Sequence, residues 1–190
     1  MNDQPESDVD ALLAELYEFG EREGGMWNIG PEGGALLAWL VGLLGARRAL
    51  EIGTSNGYSG IWLARALRRN GGALVTLELE PRKIVMARVN FTRAGLADDI
   101  TLVEGPAGAS LAALGGTFDL VFIDADKPQY PDYLREVRRL VAPSAVIVAD
   151  NLTTHPAETA PYRAAVAADS LLESVDIPVG GGLLVSRVLG

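Results

Sequence analysis

Apolar residues recur at helical spacing through VDALLAELYEF, which predicts a helix over about 8–22 that Gly24-Gly25 would end. Met26-Trp27-Asn28-Ile29-Gly30 reads as a short loop. Pro31 suits the first turn of a second helix running to about 44, where ALLAWLVGLL is apolar nearly all round and predicts burial. Beyond it the pattern changes to short apolar runs separated by polar helical stretches. Strands are expected at about 48–52, 73–79, 100–103, 118–123 and 145–149. Helices are expected at about 61–67, 81–94, 108–114, 128–140 and 157–168, with stop signals at Asn70-Gly71-Gly72 and Gly95. Residues 171–177 and 183–189 read as a closing antiparallel pair around the turn Gly180-Gly181-Gly182. Strands alternating with helices predict a parallel, doubly wound α/β sheet. Neither an internal repeat nor a linker interrupts it, so residues 1–190 read as one domain, with 1–25 as an N-terminal helical extension.

The first strand runs into Glu51-Ile52-Gly53-Thr54-Ser55-Asn56-Gly57-Tyr58-Ser59-Gly60. That is strand, glycine loop, helix, at the strand end where open α/β sheets bind ligands. Glycines at 53, 57 and 60 lack a Cβ and would let a ligand approach the backbone. The spacing G-x-x-x-G-x-x-G is not the dinucleotide fingerprint, and no Gly-Lys-Ser/Thr of a phosphate loop follows. A carboxylate at Glu51 would repel a pyrophosphate and suit an amine-bearing ligand. The combination points to S-adenosylmethionine, against the plainer reading of a glycine-rich turn. Glu78, at the end of the second strand, stands where an acid commonly takes ribose hydroxyls; Glu80 reads as a solvated turn residue.

Composition narrows the chemistry. The chain has 190 residues, 48% of them hydrophobic, enough for one sizeable core. With no Cys and one His, at 155, thiolate and multi-histidine metal sites are excluded, leaving oxygen ligation of Mg, Ca or Mn. The net charge of −9 argues against a broad nucleic-acid footprint. The start MNDQPESDVD has no apolar signal core, and no window holds about 18 uninterrupted apolar residues, so a cytoplasmic location without a membrane span is the expectation.

Two neighbouring core strands deliver polar side chains to one rim: Asp124 and Asp126 after FDLVFI, Asp150 and Asn151 after AVIVA. Asp124, Asp150 and Asn151 could hold Mg²⁺ with positions left open for substrate. Lys127, three residues past Asp124, would have its pKa lowered near a cation, as a general base needs. The competing reading is that Asp and Asn here are helix caps and turn residues.

These motifs, ALEIGTSNGYS, LVTLELEP, EGPA, FDLVFIDADKPQY, VIVADN and IPVGGGLL, run in order from about Trp27 to the end of the chain. In order and approximate spacing they resemble the cation-dependent class I O-methyltransferases of the catechol and caffeoyl-CoA type, especially small bacterial members. VFIDADK with ADN is specific to that family, whereas the glycine loop marks class I methyltransferases in general. The resemblance implies a Rossmann-like, seven-stranded, mostly parallel sheet of order 3-2-1-4-5-7-6 with the last strand antiparallel and helices on both faces. It implies S-adenosylmethionine as cofactor, with Mg²⁺ (or Mn²⁺ or Ca²⁺) on Asp124, Asp150 and Asn151. Lys127 matches the lysine that deprotonates the acceptor, and Glu78 the ribose-binding carboxylate. Glu51, Gly53 and Ser59 match positions at the cofactor's amino-acid end. Ala107, Asp124 and Asp126 fall on adenine- and cofactor-side positions, while Asn28 and Ile29 match the loop covering the methionine part. The implied partners are a small hydroxylated, catechol-like acceptor and a second copy of the chain in a homodimer.

Two features depart from the family. Gly181 stands where plant-like members carry an acidic residue that helps hold an aromatic hydroxyl, which implies a wider pocket mouth, and the N-terminal substrate-binding segment is short. Three other functions compete. A tRNA hydroxyuridine methyltransferase, disfavoured by charge, would need Arg47, Arg48, Arg65, Arg68 and Arg69 along the site rim. A non-catalytic S-adenosylmethionine-binding protein is argued against by Asp124, Lys127, Asp150 and Asn151. A nicotinamide dehydrogenase is disfavoured by the glycine spacing.

Overall fold

The structure is a computed structural model that describes residues 6–23 and 26–190. The expected helix stop at Gly24-Gly25 lies outside the described residues. The elements are α1 (Glu6–Glu23), α2 (Gly30–Leu44), β1 (Arg48–Ile52), α3 (Tyr58–Arg69), β2 (Ala73–Glu78), α4 (Pro81–Arg93), β3 (Ile100–Glu104), α5 (Ala107–Ala113), β4 (Phe118–Ile123), α6 (Tyr130–Val137), β5 (Val141–Ala149), α7 (Pro156–Ala168), β6 (Leu172–Ile177) and β7 (Leu183–Val188). Single 3₁₀ turns cover Ala97–Asp99 and Lys127–Gln129. The seven strands form one sheet of order β3-β2-β1-β4-β5-β7-β6. All pair in parallel except β7, which runs antiparallel to both β5 and β6.

Each central strand divides its side chains between two cores, because successive Cβ atoms point to opposite faces. Ala49, Leu120, Phe122, Val146 and Val148 pack under the layer that includes α1, α2, α3 and α4. Leu50, Ile52, Val121, Ile123, Ile147 and Ala149 pack under α5, α6 and α7. Burial on both faces explains why these strands read as continuous apolar runs rather than alternating ones.

Three details differ from the sequence reading. α2 is not buried all round: Leu37, Leu40 and Val41 face the core while Trp39 and Leu43 are 59% and 65% exposed. A helix in an outer layer has only one inward face, whatever its composition. β5 starts at Val141, pairing with Phe118 before a register shift, so it holds the exposed Pro143 and the positive-φ Ser144 in an irregular first half. The helix expected over 128–140 is a 3₁₀ turn followed by α6, which stops at Val137. Among the described residues, no helix is long and apolar enough to cross a membrane.

Candidate active site

The loop from Gly53 to Gly57 sits above the carboxyl ends of β1, β2 and β4. Gly53 donates its N–H to Leu77 O (3.0 Å), and Asp124 donates to Ile52 O (2.9 Å), so the three strand ends are stitched together. Gly53 has φ +99°, and a Cβ there would overlap the Asp124 carbonyl oxygen. At Gly57 and Gly60 a Cβ would crowd the Phe91 ring. The Cβ-free sides of these glycines therefore make room for neighbouring backbone and Phe91 rather than directly for a ligand.

Glu78 ties the loop to β2. Its Oε2 accepts the Ser55 N–H (2.8 Å), and Oε1 accepts the N–H groups of Leu79 and Glu80 (2.8 and 2.9 Å). The carboxylate is thus held at the mouth of the loop, with lone pairs left for further donors. Glu80 is exposed and pairs with Lys83 at 3.3 Å, as a solvated turn residue would.

Glu51 lies beneath the loop, fully buried. Ser59 Oγ donates to its Oε1 (2.5 Å), Thr76 Oγ1 bonds its Oε2 (2.6 Å), and Thr76 in turn bonds Thr54 (2.6 Å). Burial pushes the carboxyl up to about 8, the hydrogen bonds from Ser59 and Thr76 opposing the rise and the charges of Asp124 and Glu78 adding to it. At neutral pH the group is mostly the uncharged acid. The folded protein therefore holds this proton more tightly than the unfolded chain, whose carboxyl titrates near 4.5. Its stabilising share is full below that value and is lost as pH rises toward about 8, a loss of several kcal/mol at most. Glu51→Gln keeps an oxygen to accept the Ser59 hydroxyl but cannot ionise, and is expected to flatten this part of the profile. Thermal melts of both proteins from pH 5 to 8.5 check it; parallel profiles would refute the assignment.

The polar groups expected at the next two strand ends are present. Asp150 is buried, donates its N–H to Ile123 O (3.0 Å), and its Oδ1 accepts the Asn151 N–H (2.6 Å). Asn151 adopts a left-handed φ of 67°, and its Oδ1 is buried without any hydrogen-bond partner. Lys127 is buried, with Nζ 3.2 Å from Asp124 Oδ1 and 6.0 Å from the Tyr130 ring centre. Desolvation raises the Asp124 carboxyl, with Lys127 opposing. Desolvation, then the Asp124 charge, pushes Asp150 up to about 7. Two carboxyls that disfavour each other's charge, next to an unpartnered amide oxygen, form a hard-oxygen donor set that fits a divalent cation. Among the described residues no cluster of three or more His, Cys, Asp or Glu could hold a metal, so a cation here would rest on two carboxylates and one amide oxygen.

A cavity of about 410 Å³ opens over this rim. Of the expected residues, Gly53, Glu78, Ala107, Asp124, Asp126 and Lys127 line it. Asn28, Ile29, Glu51, Ser59, Asp150 and Asn151 do not. Asn28 turns to α1, Ile29 is in the core, and Ser59 holds Glu51. Trp27, Ser55, Lys83, Gln129 and Tyr133 also line the cavity, though the sequence reading assigned them no role. Lys83 and Tyr133 follow the expected rim residues by one or two helical turns, the only local signal they carried. A Cβ on Gly181 would lie 2.6 Å from Asn151 Nδ2 and 3.0 Å from Thr154 Oγ1. The missing side chain therefore points into the 151–154 loop, which corrects the expectation of a wider mouth.

The arginines that nucleic acid would need are elsewhere. Arg65 pairs with Asp10, Arg69 with Glu6 and Arg68 with Asp99. Arg47 and Arg48 donate their backbone N–H groups to Asp119, at the amino ends of β1 and β4, opposite the site rim.

Comparison with known proteins agrees with this geometry. A family model described as O-methyltransferase matches residues 4–189. The chain is 46% identical over 146 residues to a catechol O-methyltransferase of Mycobacterium tuberculosis, covering 76% of this chain and 66% of that protein. It is 42% identical over 147 residues to a catechol O-methyltransferase of Niastella koreensis, covering 75% and 66%. These matches thus span just under two thirds of the relatives' length. Among solved structures, the O-methyltransferase of Bacillus cereus in complex with SAH superimposes with a TM-score of 0.83 at 30% identity, covering 99% of this chain and 93% of that one. The O-methyltransferase TomG of Streptomyces achromogenes in complex with SAM gives 0.84 at 32% identity, covering 98% and 92%. With the family model spanning nearly all its residues, the chain belongs to the O-methyltransferase family.

Proposed function

We propose that the protein transfers a methyl group from S-adenosylmethionine to one hydroxyl of a small acceptor with two adjacent oxygens, as in a catechol. One observation carries this reading: Glu78, at the cofactor end, and the Asp124–Lys127 pair, at the reacting end, line one and the same cavity. The solved relatives with SAM or SAH bound support the choice of cofactor. The catechol O-methyltransferase relatives support the acceptor class.

In this reading Glu78 accepts hydrogen bonds from the ribose hydroxyls, and the start of α5 at Ala107 flanks the adenine. Asp124, Asp150 and Asn151 Oδ1 would hold a divalent cation, which when bound supplies Lewis-acid acidification of an acceptor hydroxyl. Lys127 Nζ takes the hydroxyl proton. The freed oxygen lone pair attacks the sulfonium methyl carbon in line, the C–S bond breaks, and its electrons stay on sulfur, leaving S-adenosylhomocysteine. Burial of Lys127 and Asp150 keeps bulk water from the transfer, and the cavity walls supply the alignment that such displacements depend on. Four acidic residues around the cavity, Glu78, Glu80, Asp124 and Asp126, disfavour a polyphosphate backbone, so a small molecule rather than tRNA is the acceptor.

Labelled methyl transfer to a catechol panel, hydroxycinnamoyl thioesters and tRNA, with and without Mg²⁺, tests the assignment. Transfer to tRNA alone would replace the acceptor class, and no transfer at all would remove the activity. Glu78→Ala is expected to weaken S-adenosylhomocysteine binding by about 1.5–3 kcal/mol, or about ten- to a hundredfold by calorimetry. Unchanged affinity would take Glu78 out of the cofactor site.

A further inference from the structure

The carbonyl of Leu16, in the middle of α1, accepts two side-chain amides besides its place in the helix. Asn28 Nδ2 reaches it at 3.0 Å and Asn56 Nδ2 at 3.3 Å. Asn56 is fully buried in the glycine loop. Its Oδ1 accepts the Tyr58 N–H at the start of α3 (3.2 Å), and its carbonyl accepts Asn90 Nδ2 from α4 (2.8 Å). Asn28 belongs to the short segment joining α1 to α2. Neither asparagine lines the cavity, but the residue before each does: Trp27 precedes Asn28, and Ser55 precedes Asn56.

One main-chain oxygen therefore holds both asparagines that follow the cavity-lining Trp27 and Ser55. Gly20, one turn further along α1, makes the joint possible. A Cβ there would lie 2.7 Å from both Asn28 Nδ2 and Met26 O, so only glycine lets the 26–28 segment fold back across the helix. α1 is itself seated on the arginines of α3 and α4: Arg65 on Asp10 (2.5 Å), Arg69 on Glu6, Arg93 on Glu15 (2.6 Å) and Arg82 on Glu23 (4.0 Å). Such exposed pairs are individually weak, and the burial of Val9, Leu12, Leu13 and Leu16 in the core does more to seat the helix and its Leu16 carbonyl.

We infer that Asn28, Asn56 and Gly20 are positioning residues that use the Leu16 carbonyl of α1 to set the spacing between the Trp27 and Ser55 walls of the cofactor cavity. The inference rests on the S-adenosylmethionine reading of that cavity. Coupling between two sites is reciprocal, so a ligand that needs this spacing must also hold α1 in place. S-adenosylhomocysteine is expected to slow amide exchange of α1 around Leu16–Gly20.

The test titrates S-adenosylhomocysteine into wild-type protein, Gly20→Ala and Asn28→Asp, and follows thermal melting and hydrogen exchange on the same samples. Aspartate matches the shape of asparagine but has no hydrogen to give the carbonyl when ionised. Alanine improves the helix while obstructing the joint. Both variants are expected to lose about tenfold in affinity, the equivalent of one net hydrogen bond. Gly20→Ala should lose affinity together with some stability, because the obstructing Met26 O is backbone and has to shift, and Asn28→Asp should lose the ligand-dependent protection of α1. A purely structural role would lower the midpoint and leave affinity alone. Variants binding as wild type, or α1 exchange indifferent to ligand, would overturn the inference and leave the function reading standing. Wild-type protein that fails to bind would overturn both.

Discussion

Asp150→Ala is expected to lower methyl transfer on the order of a thousandfold or more, the worth of several kcal/mol of Lewis-acid assistance, while S-adenosylhomocysteine affinity changes little. Excess EDTA should reproduce this in the wild-type protein. Asp150 is buried and does not line the cofactor cavity, so its loss should spare the cofactor. It also stands beside Asp124, whose charge contributes to raising its carboxyl to about 7. A cation held by the two carboxyls would relieve that repulsion and give the orphaned Asn151 Oδ1 a partner. In the variant the cation loses one of three protein ligands, and added Mg²⁺ should restore only part of the rate. The measurement is initial rate against Mg²⁺ concentration, with the cofactor affinity taken separately. Full turnover in excess chelator would remove the cation and leave Lys127 as the remaining activator of the hydroxyl.

Gly53→Ala should destabilise the fold by about 3–5 kcal/mol, near the upper end for a single substitution. Two costs combine. The backbone at φ +99° is strained for any residue with a Cβ, and that Cβ would overlap the Asp124 carbonyl oxygen on the neighbouring strand end. The obstructing atom is backbone, so no rotamer change relieves it. Separating β1 from β4 would also move Asp124 relative to the glycine loop. Cofactor affinity should therefore fall with stability, in contrast to Asp150→Ala. Urea denaturation and calorimetric titration check both effects. A midpoint equal to wild type would mean that the loop relaxes at no cost.

Much of this was legible because it is local or periodic. Apolar runs such as FDLVFI and AVIVA mark strands buried on both faces, and their polar ends meet on one rim because parallel strands share a direction. Pro31 and Pro81 marked helix starts through their fixed φ. The motif order carried the strand order 3-2-1-4-5-7-6 through family resemblance, since pairing between β1 and β4 is nowhere encoded locally.

What the pattern could not show depends on which atoms meet across long separations. Glu51 reads as a carboxylate for an amine-bearing ligand, and only its burial beneath the loop, with Ser59 and Thr76 bonded to it, makes it a nearly neutral group. Gly53 and Gly181 read as room for a ligand or acceptor, yet the Cβ each lacks would meet Asp124 and Asn151. Whether Arg65 and Arg69 line the site rim cannot be read locally; α1, some sixty positions earlier, lays Asp10 and Glu6 against them instead. The Leu16 carbonyl is the extreme case. Every residue carries the same main-chain oxygen, so side-chain identity cannot mark the one that two asparagines share; only the packing of α1 over the glycine loop selects it.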